Sequence, residues 1–392
     1  MTATPQDDIF PVDVEINADS IGRYLFDCFL PRQKELFLDS VNGGFYERAV
    51  IGQGPDSAAQ KRLLGQCRQI FQFSHGHLLS GQDWMRDTAD HGYRFLHHYR
   101  DRKFGGWCFK VTPAGKVCDD HKNLYAHAFV LFALAHYYRM SPGEEVKESI
   151  LHTLEMLEMN IKDIRRGGFI EHAERNWTYK SGLRLQNPHM HLLEALLAIQ
   201  AAGIGIDVST QISALFELFR ECLFDAKTGT LAEYFTSNWR RDTKEGHRLE
   251  PGHHYEWIWI LSELNRLMPE LEVAEYTNLL MRGVTKLVAG DPGNGVADEL
   301  DCKGNVLKSS MRIWAQTECL KAFSIHTQST TAQVRRQTST ALLRLLFTRY
   351  LKLNGDWVEH FGADGTALRN DLPATTGYHI TMALSEYLKA KF

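Results

Sequence analysis

The sequence predicts an all-α fold, an (α/α)6 barrel of six inner and six outer helices with short β-hairpin turns. Three observations predict it: glycine-centred turns recur at a nearly constant spacing, two helices fit between successive turns, and one helix of each pair is far more apolar than the other. The 392-residue chain has no linker-like segment rich in Ser, Pro or Gly. We therefore expect residues 1–392 to form a single domain.

Six glycine-centred turns divide the chain into similar lengths. The turns begin at or contain Gly43, Gly105, Gly167, Gly229, Gly295 and Gly355. The first three intervals between these glycines are identical, and the last two differ from them only slightly. A nearly fixed period of this size indicates one supersecondary unit that is copied around or along an axis.

The helices between the turns differ in polarity. Residues 124–135 and 190–199 are apolar almost all round, which is typical of helices buried inside a larger structure. Residues 144–155 are amphipathic, with a charged face suited to solvent. We expect each unit to run outer helix, inner helix, glycine turn, and six such units to close a barrel.

Composition limits the partners and the location. The net charge is −4 with no basic run, which disfavours nucleic acid and anionic membranes as partners. No apolar run reaches the ~20 residues of a membrane span. Seven scattered cysteines without a C-x-x-C pair suggest free thiols in a reducing compartment. Residues 1–8 lack the features of a signal peptide, so we expect a cytoplasmic protein.

Polar residues stand near the starts of the inner helices, where a purely structural core would not select them. In order, these residues are Arg68, Tyr125, His191, His253, Gln316 and His379. The last four follow one another at almost the same interval as the glycine turns, so we expect them at one height around the barrel axis. The first two are spaced less regularly.

Two motifs suggest proton-transfer chemistry. Asn187 and Pro188 are expected to cap and begin a helix, with His191 four residues after Asn187 on the same face. Glu256 follows His253 by three residues, so its carboxylate can orient or charge-stabilise that imidazole. A histidine beside a carboxylate is suited to exchange protons near neutral pH.

Each histidine also has a structural interpretation. A single histidine on an apolar helix is more often a hydrogen-bonded core residue than a catalyst, but three at one periodic height favour a site. Zinc held by three histidines stays an alternative, although H-E-x-x-H, a cysteine pair and a dense aspartate set are all missing from the sequence. No cofactor and no metal are expected. The histidines interpreted as structural or surface residues are His75, His77, His97, His98, His189 and His254.

Three segments, residues 187–195, 250–257 and 312–318, resemble the N-acylglucosamine 2-epimerase superfamily. The superfamily includes cellobiose 2-epimerases, mannose isomerases and sulfoquinovose isomerases, and the resemblance spans nearly the whole chain. It implies an (α/α)6-barrel catalytic domain and metal-independent proton transfer at the carbon next to a sugar carbonyl.

The resemblance also implies residue roles. His253 and His379 take the two acid/base roles, and Glu256 orients His253. His191 and Asn187 bind the open sugar, while Arg68 steadies the carbonyl or enediolate oxygen. The pocket is lined by Tyr125 and Trp314, and Gln316 joins the substrate-binding set from its place in the polar ring.

The leading hypothesis is an aldose–ketose isomerase that interconverts D-mannose and D-fructose, with D-lyxose and D-xylulose as related substrates, through a cis-enediolate. The motif Asn-Pro-x-Met-His and residues 122–129 are similar to the mannose and sulfoquinovose isomerase branch. The enzyme alternatives are a sugar 2-epimerase acting on mannose or N-acetylglucosamine, a sulfoquinovose isomerase, and a glycan-cleaving barrel that uses Glu194, Glu256 and Glu318. A carbohydrate-binding module is the non-enzyme alternative. We expect a monosaccharide substrate and a monomer or homodimer.

Overall fold

The fold is described from a computed structural model, which covers residues 16–179, 182–288, 290–325 and 330–390. Residues 1–8, on which the predicted location depends, lie outside this part. The helices in chain order are α1 (Ala18–Arg23), α2 (Leu30–Phe37), α3 (Leu63–Ser80), α4 (Asp83–Leu96), α5 (Leu124–Met140), α6 (Glu144–Asn160), α7 (Gln186–Ala202), α8 (Ser209–Leu218), α9 (Pro251–Leu267), α10 (Ala274–Val288), α11 (Ile313–Ser324), α12 (Ala332–Leu345) and α13 (Gly377–Lys389).

The odd-numbered helices from α3 to α13 form the inner ring. Each packs against the next, and α13 packs against α3, so the ring is closed. The outer positions are taken by the even-numbered helices from α4 to α12 and by α1 and α2, which a π-helical segment, Tyr24–Phe29, joins. The predicted (α/α)6 barrel is confirmed. Within the described ranges, no helix is both long enough and apolar enough to cross a membrane.

The predicted order of elements within a unit is wrong. Gly105 follows the outer helix α4 and precedes the inner helix α5, and Gly167 lies between α6 and α7 in the same way. Each unit therefore runs outer helix, glycine turn, short strands, inner helix. The apolar and amphipathic patterns identified the helix types correctly, but they carry no information on which side of the turn each type stands.

Short antiparallel strands join neighbouring units at the starts of the inner helices. The strand before one inner helix pairs with the strand after the next glycine turn, as in β3–β4, β6–β7, β8–β11, β12–β13 and β15–β16. The last pair, β17–β1, closes the ring, with Arg48 opposite Pro373 and Val50 opposite Asp371. The strands are β1 (Arg48–Val50), β2 (Gly54–Pro55), β3 (Lys61–Arg62), β4 (Lys110–Val111), β5 (Val117–Asp119), β6 (Lys122–Asn123), β7 (His172–Ala173), β8 (Arg184–Leu185), β9 (Phe224–Asp225), β10 (Thr230–Leu231), β11 (Tyr234–Phe235), β12 (Arg248–Leu249), β13 (Glu299–Asp301), β14 (Val306–Lys308), β15 (Met311–Arg312), β16 (His360–Phe361) and β17 (Asp371–Pro373).

The glycine turns lie directly against the inner helices. Gly168 has φ +70°, and a Cβ atom there would lie 2.6 Å from the Trp239 ring and 2.9 Å from His189 Nε2. The next amide, Phe169 N–H, donates to His189 Nε2 at 2.8 Å. Only glycine allows the backbone this conformation and this close approach together.

A buried ion pair ties each of the first two turns to the strand before the following inner helix. Lys61 Nζ lies 2.7 Å from Asp39 Oδ2, and Lys122 Nζ lies 2.9 Å from Asp101 Oδ2, with no solvent exposure of any of the four side chains. Each ammonium also donates to a turn carbonyl. Removing Lys61 or Asp39 would leave the charge of the other buried and unpaired, at a cost of about 3–5 kcal/mol, whereas Asp101 also binds Arg175.

Alanine substitutions at two adjacent glycines distinguish destabilisation by backbone strain from destabilisation by side-chain overlap. Gly167→Ala is strained only by the positive φ of residue 167, since no described atom lies within 4 Å of the added Cβ. This substitution should lower the free energy of unfolding by about 1 kcal/mol. Gly168→Ala has a similar φ and in addition overlaps Trp239 and His189, so it should cost about 1–3 kcal/mol more. Urea unfolding of the two variants measures the difference. Equal free energies of unfolding would contradict the packing explanation.

Candidate active site

Polar side chains from five inner helices meet at the end of the barrel where those helices begin. Arg68 on α3 is the central contact of this group. Its Nη2 donates to the Tyr125 hydroxyl at 2.8 Å, and its Nη1 lies 3.4 Å from His379 Nε2. The Tyr125 ring in turn lies 5.0 Å, centroid to centroid, from the His191 ring. The structure thus brings together Arg68, Tyr125, His191 and His379, four of the six polar residues that the sequence singles out near the helix starts.

His253, the third residue of α9, is held by a carboxylate from the preceding hairpin. Its Nδ1 lies 2.9 Å from Glu233 Oε2, and that oxygen also accepts from Gln186 Nε2 at 2.9 Å. Burial lowers the pKa of His253, but Glu233 and Glu250 outweigh burial and raise this pKa to about 9. His253 is therefore an imidazolium at neutral pH.

The prediction that Glu256 orients His253 is wrong. The Glu256 side chain is buried deeper in the barrel, with its Oε1 3.8 Å from His191 Nε2. Burial, together with the nearby Glu318 carboxylate, raises the pKa of Glu256 well above its usual value, which favours the neutral acid. The partner of His253 is Glu233 instead, because Nδ1 of His253 faces the hairpin and not its own helix.

His379, the third residue of α13, has the opposite protonation state. Its Nδ1 lies 2.7 Å from Glu318 Oε1, and Glu318 Oε2 forms a fully buried ion pair with Lys321 Nζ at 2.5 Å. Burial lowers the pKa of His379 to about 3 despite the Glu318 carboxylate. A neutral imidazole that donates from Nδ1 keeps a free lone pair on Nε2, the atom that faces Arg68.

His191 is also neutral and firmly positioned. Its Nδ1 lies 2.9 Å from Glu194 Oε2, while Glu194 Oε1 accepts from the Tyr378 hydroxyl at 2.5 Å. Burial lowers the pKa of His191 to about 4. The sequence reasoning had no role for Tyr378, because an aromatic residue on an apolar helix carries no polar signal.

Gln316 lies outside this group, contrary to its predicted substrate-binding role. Its Oε1 accepts from Val296 N–H at 2.7 Å, and its Nε2 donates to the carbonyls of Val296 and Arg312. All the described hydrogen bonds of its fully buried side chain go to the backbone. The even spacing along the chain does not distinguish residues that face the site from residues that bind the glycine turns. Gln316 belongs to the second set, whose other members are Gln66, His127, His189 and His254.

Asn187 and Trp314 stand beside the two acid/base candidates. Asn187 is the second residue of α7 and does not cap it; its Nδ2 lies 3.2 Å from His253 Nε2. Exchanging the amide oxygen and nitrogen by a flip of the side chain would bring Asn187 Oδ1, which has no partner, to the Nε2–H of the imidazolium. The Trp314 ring lies 5.0 Å from the His253 ring and 5.7 Å from the His379 ring, so it lines the space beside both histidines.

Among the residues that the structure describes, three sets of His and carboxylate atoms are close enough together to hold a metal ion, with ligand atoms within 4.8 Å of one another. In each set, however, a histidine Nδ1 is already hydrogen-bonded to a carboxylate, an arrangement that suits proton transfer. The sets are His191, Glu194 and Glu256; Glu233, Glu250 and His253; and Glu256, Glu318 and His379.

Comparison with known proteins gives the family. The family model described as N-acylglucosamine 2-epimerase matches residues 43–383. The chain belongs to this family. A mannose-6-phosphate isomerase of Rhizobium meliloti is 28% identical over 387 residues, which are 96% of this chain and 97% of that protein.

Two solved structures of sugar-converting enzymes share the fold. The cellobiose 2-epimerase of Bacillus thermoamylovorans superimposes with a TM-score of 0.87 at 22% identity, covering 95% of this chain and 98% of its own. A D-mannose isomerase superimposes with a TM-score of 0.84 at 20% identity, covering 97% and 99%. Family membership supports a sugar isomerase or epimerase, and the named relatives include both types.

The protonation state of His253 depends on Glu233. Because the Glu233 carboxylate raises the pKa of His253, Glu233→Gln should lower this pKa by at least about one unit. NMR titration of isotope-labelled histidines measures the shift. Glu256→Gln is the matched control, and it should change the His253 pKa much less because Glu256 is already neutral. An unchanged pKa in Glu233→Gln would contradict the assignment.

Proposed function

We propose that this family member interconverts D-mannose and D-fructose, with D-lyxose and D-xylulose as related substrates, through a cis-enediolate. One observation carries the proposal: two buried imidazoles of opposite protonation state, His253 and His379, flank the Trp314 ring. A base and an acid that are both ready at neutral pH suit the removal and return of a proton beside a carbonyl.

His379 is the proposed base. Its Nε2 removes the proton from C2 of the open-chain aldose, which leaves negative charge on the carbonyl oxygen at C1. The Arg68 guanidinium, within 3.4 Å of that nitrogen, stabilises this charge. Arg68 is itself fixed by the Tyr125 hydroxyl and the Thr375 carbonyl, so it is oriented before the substrate binds.

The fate of the proton decides the product. If His379 returns it to C1, and the His253 imidazolium gives a proton to O1 and takes the hydroxyl proton from O2, the product is the ketose. If the His253 imidazolium delivers a proton to C2 from the opposite face, the product is the 2-epimer. The near full-length match to a relative named as an isomerase favours the first outcome. The fold shared with a cellobiose 2-epimerase keeps the second as the alternative.

The charges around the candidate site favour an uncharged sugar over a phosphorylated or sulfonated one. Arg68 is already committed to the carbonyl end of the substrate. Arg62 and Arg312, which directly precede α3 and α11, are paired with Glu47 and with Glu250, respectively. A phosphate or sulfonate group on the sugar would have to displace one of these ion pairs.

Glycan cleavage fits the carboxylates poorly. Glu194 and Glu318 are each bonded to a histidine, and Glu256 is a buried acid. None of the three has more than 2% of its surface exposed. Glycan cleavage needs one carboxyl group to protonate the glycosidic oxygen and a second to act on the opposite face of the sugar, and these buried side chains are not accessible for either role. A binding module, in turn, needs no pair of histidines held in opposite protonation states.

The deciding experiment is incubation of the purified, chelator-treated protein with D-mannose in heavy water, followed by NMR. Formation of fructose, with deuterium at C1 to the extent that the proton on His379 exchanges with solvent, establishes the isomerase, while glucose with deuterium at C2 establishes the epimerase. If neither forms, the same assay with N-acetylmannosamine and sulfoquinovose tests the remaining enzyme alternatives. Loss of activity with the chelator would contradict the prediction that no metal is needed.

The cytoplasmic location and the monomeric or homodimeric state stay predictions.

The two histidines can be tested against a matched neighbour. His253→Ala and His379→Ala should each lower kcat/KM by at least about 10²-fold, because each removes a proton carrier. His254→Gln is the control, since Gln316 already makes the same two types of backbone hydrogen bond that His254 makes. The control should keep near wild-type activity. Retained activity in either alanine variant would remove that histidine from the mechanism.

A further inference from the structure

A cavity of about 550 Å³ opens at the other end of the barrel, where the inner helices end. Its walls come from α3, α5, α7, α9 and α13. The volume lies within the range of about 300–1,000 Å³ that is usual for small-molecule sites. The proposed function makes no use of this cavity.

Nitrogen atoms without partners mark the inner wall of the cavity. His136 and Trp259 are each 8% exposed, and among the described residues neither His136 Nδ1 nor Trp259 Nε1 has a hydrogen-bond partner. His75 Nδ1 also lacks one, although its Nε2 lies 3.1 Å from Ser385 Oγ. Buried polar groups normally have partners, and those without one often mark a ligand. Burial lowers the pKa of both histidines, so these imidazoles are neutral and suited to hydrogen bonds with hydroxyl groups.

Cationic side chains surround the mouth of the cavity. Arg266 is paired with Glu263 at 2.6 Å, and Lys389 is paired with Glu386 at 2.7 Å. Arg139 is exposed, and within the described ranges no hydrogen bond or ion pair involves it. Because Glu263 and Glu386 already neutralise Arg266 and Lys389, it is Arg139 that is left for a new anion, and a guanidinium can bind a phosphate group through two parallel hydrogen bonds.

We propose that this cavity binds a small phosphate monoester that carries hydroxyl groups. The phosphate pairs with Arg139 at the mouth. The hydroxyl groups reach the nitrogens of His136 and Trp259, and the carbon skeleton packs against the apolar lining formed by Phe132 and Leu197. A bare phosphate ion would fill only the mouth, so the inner donors point to an esterified ligand.

The cavity shares a wall with the candidate active site. Glu194 lines the cavity and also binds His191 and Tyr378, and Lys321 Nζ lies 4.5 Å from the Trp259 ring centroid. A ligand in the cavity would therefore contact Glu194, the carboxylate that positions His191. The binding proposal itself does not depend on the proposed reaction.

Calorimetric titration with glycerol 3-phosphate at constant ionic strength tests the proposal. This probe is a hydroxylated phosphate monoester without a carbonyl, so it cannot be isomerised. We expect saturable binding that weakens at least fivefold in Arg139→Gln. Arg102→Gln is the matched control, since Arg102 is also exposed but follows an outer helix at the opposite end of the barrel, and it should bind normally. No binding by the wild type, or equal affinity in the two variants, would overturn the proposal.

Two more variants locate the ligand. His136→Phe keeps an aromatic ring among its aromatic neighbours and removes the nitrogens, so it should weaken binding of glycerol 3-phosphate more than binding of inorganic phosphate. Arg68→Gln should bind the probe as the wild type does. Loss of binding in Arg68→Gln would assign the probe to the candidate active site and overturn the proposal, as would unchanged binding of both probes by His136→Phe.

Discussion

The architecture depends on one hydrogen bond that recurs in five units: the amide after each glycine turn donates to a side chain near the start of the next inner helix. The acceptors are Gln66, His127, His189, His254 and Gln316. This bond fixes the turn against the helix and thereby the short strands between them. The strands join each unit to its neighbour, so this local contact helps to set the height of the five inner helices α3, α5, α7, α9 and α11, while the pairing of β17 with β1 holds the start of α13. The convergence of polar side chains near the helix starts follows from these matched heights.

A second recurring contact supplies part of the chemistry. A carboxylate after the turn accepts the amide of the residue that directly precedes the inner helix, as Glu47, Glu171 and Asp298 do for Arg62, Leu185 and Arg312. Glu233 makes the same contact with Glu250 N–H and also binds His253. The carboxylate partner of His379 is different, because Glu318 is itself neutralised by Lys321. The pKa of His253 is thus raised mainly by Glu233 and further by Glu250, whereas His379 faces a compensated carboxylate and the Arg68 guanidinium, and this difference separates their pKa values.

Much of this organisation could be predicted from the sequence. The glycine spacing and the contrast in helix polarity were sufficient to predict the barrel. The polar residues near the helix starts were sufficient to select Arg68, His191, His253 and His379 as candidates. The partners of the histidines were harder to predict, because Glu233 and Glu318 reach them from other elements, whereas Glu256 lies three residues from His253 on the same helix. A signal for Glu233 did exist: Glu47, Glu171, Glu233 and Glu359 each stand four residues after the first glycine of a turn. Gln316 was misassigned because period alone does not distinguish the side of a helix that faces the turn from the side that faces the pocket.

The pairing of β17 with β1 means that the ring is completed only by the last part of the chain. During synthesis, the units emerge in order, and the sides of α3 and α11 that face α13 stay uncovered until α13 fills the gap between them. His379 lies on α13. Until this helix docks, the chain is an open arc with exposed apolar surface, and the proposed base takes its place in the same step that closes the core. A nascent or truncated chain would be at risk of aggregation before it could ever be active.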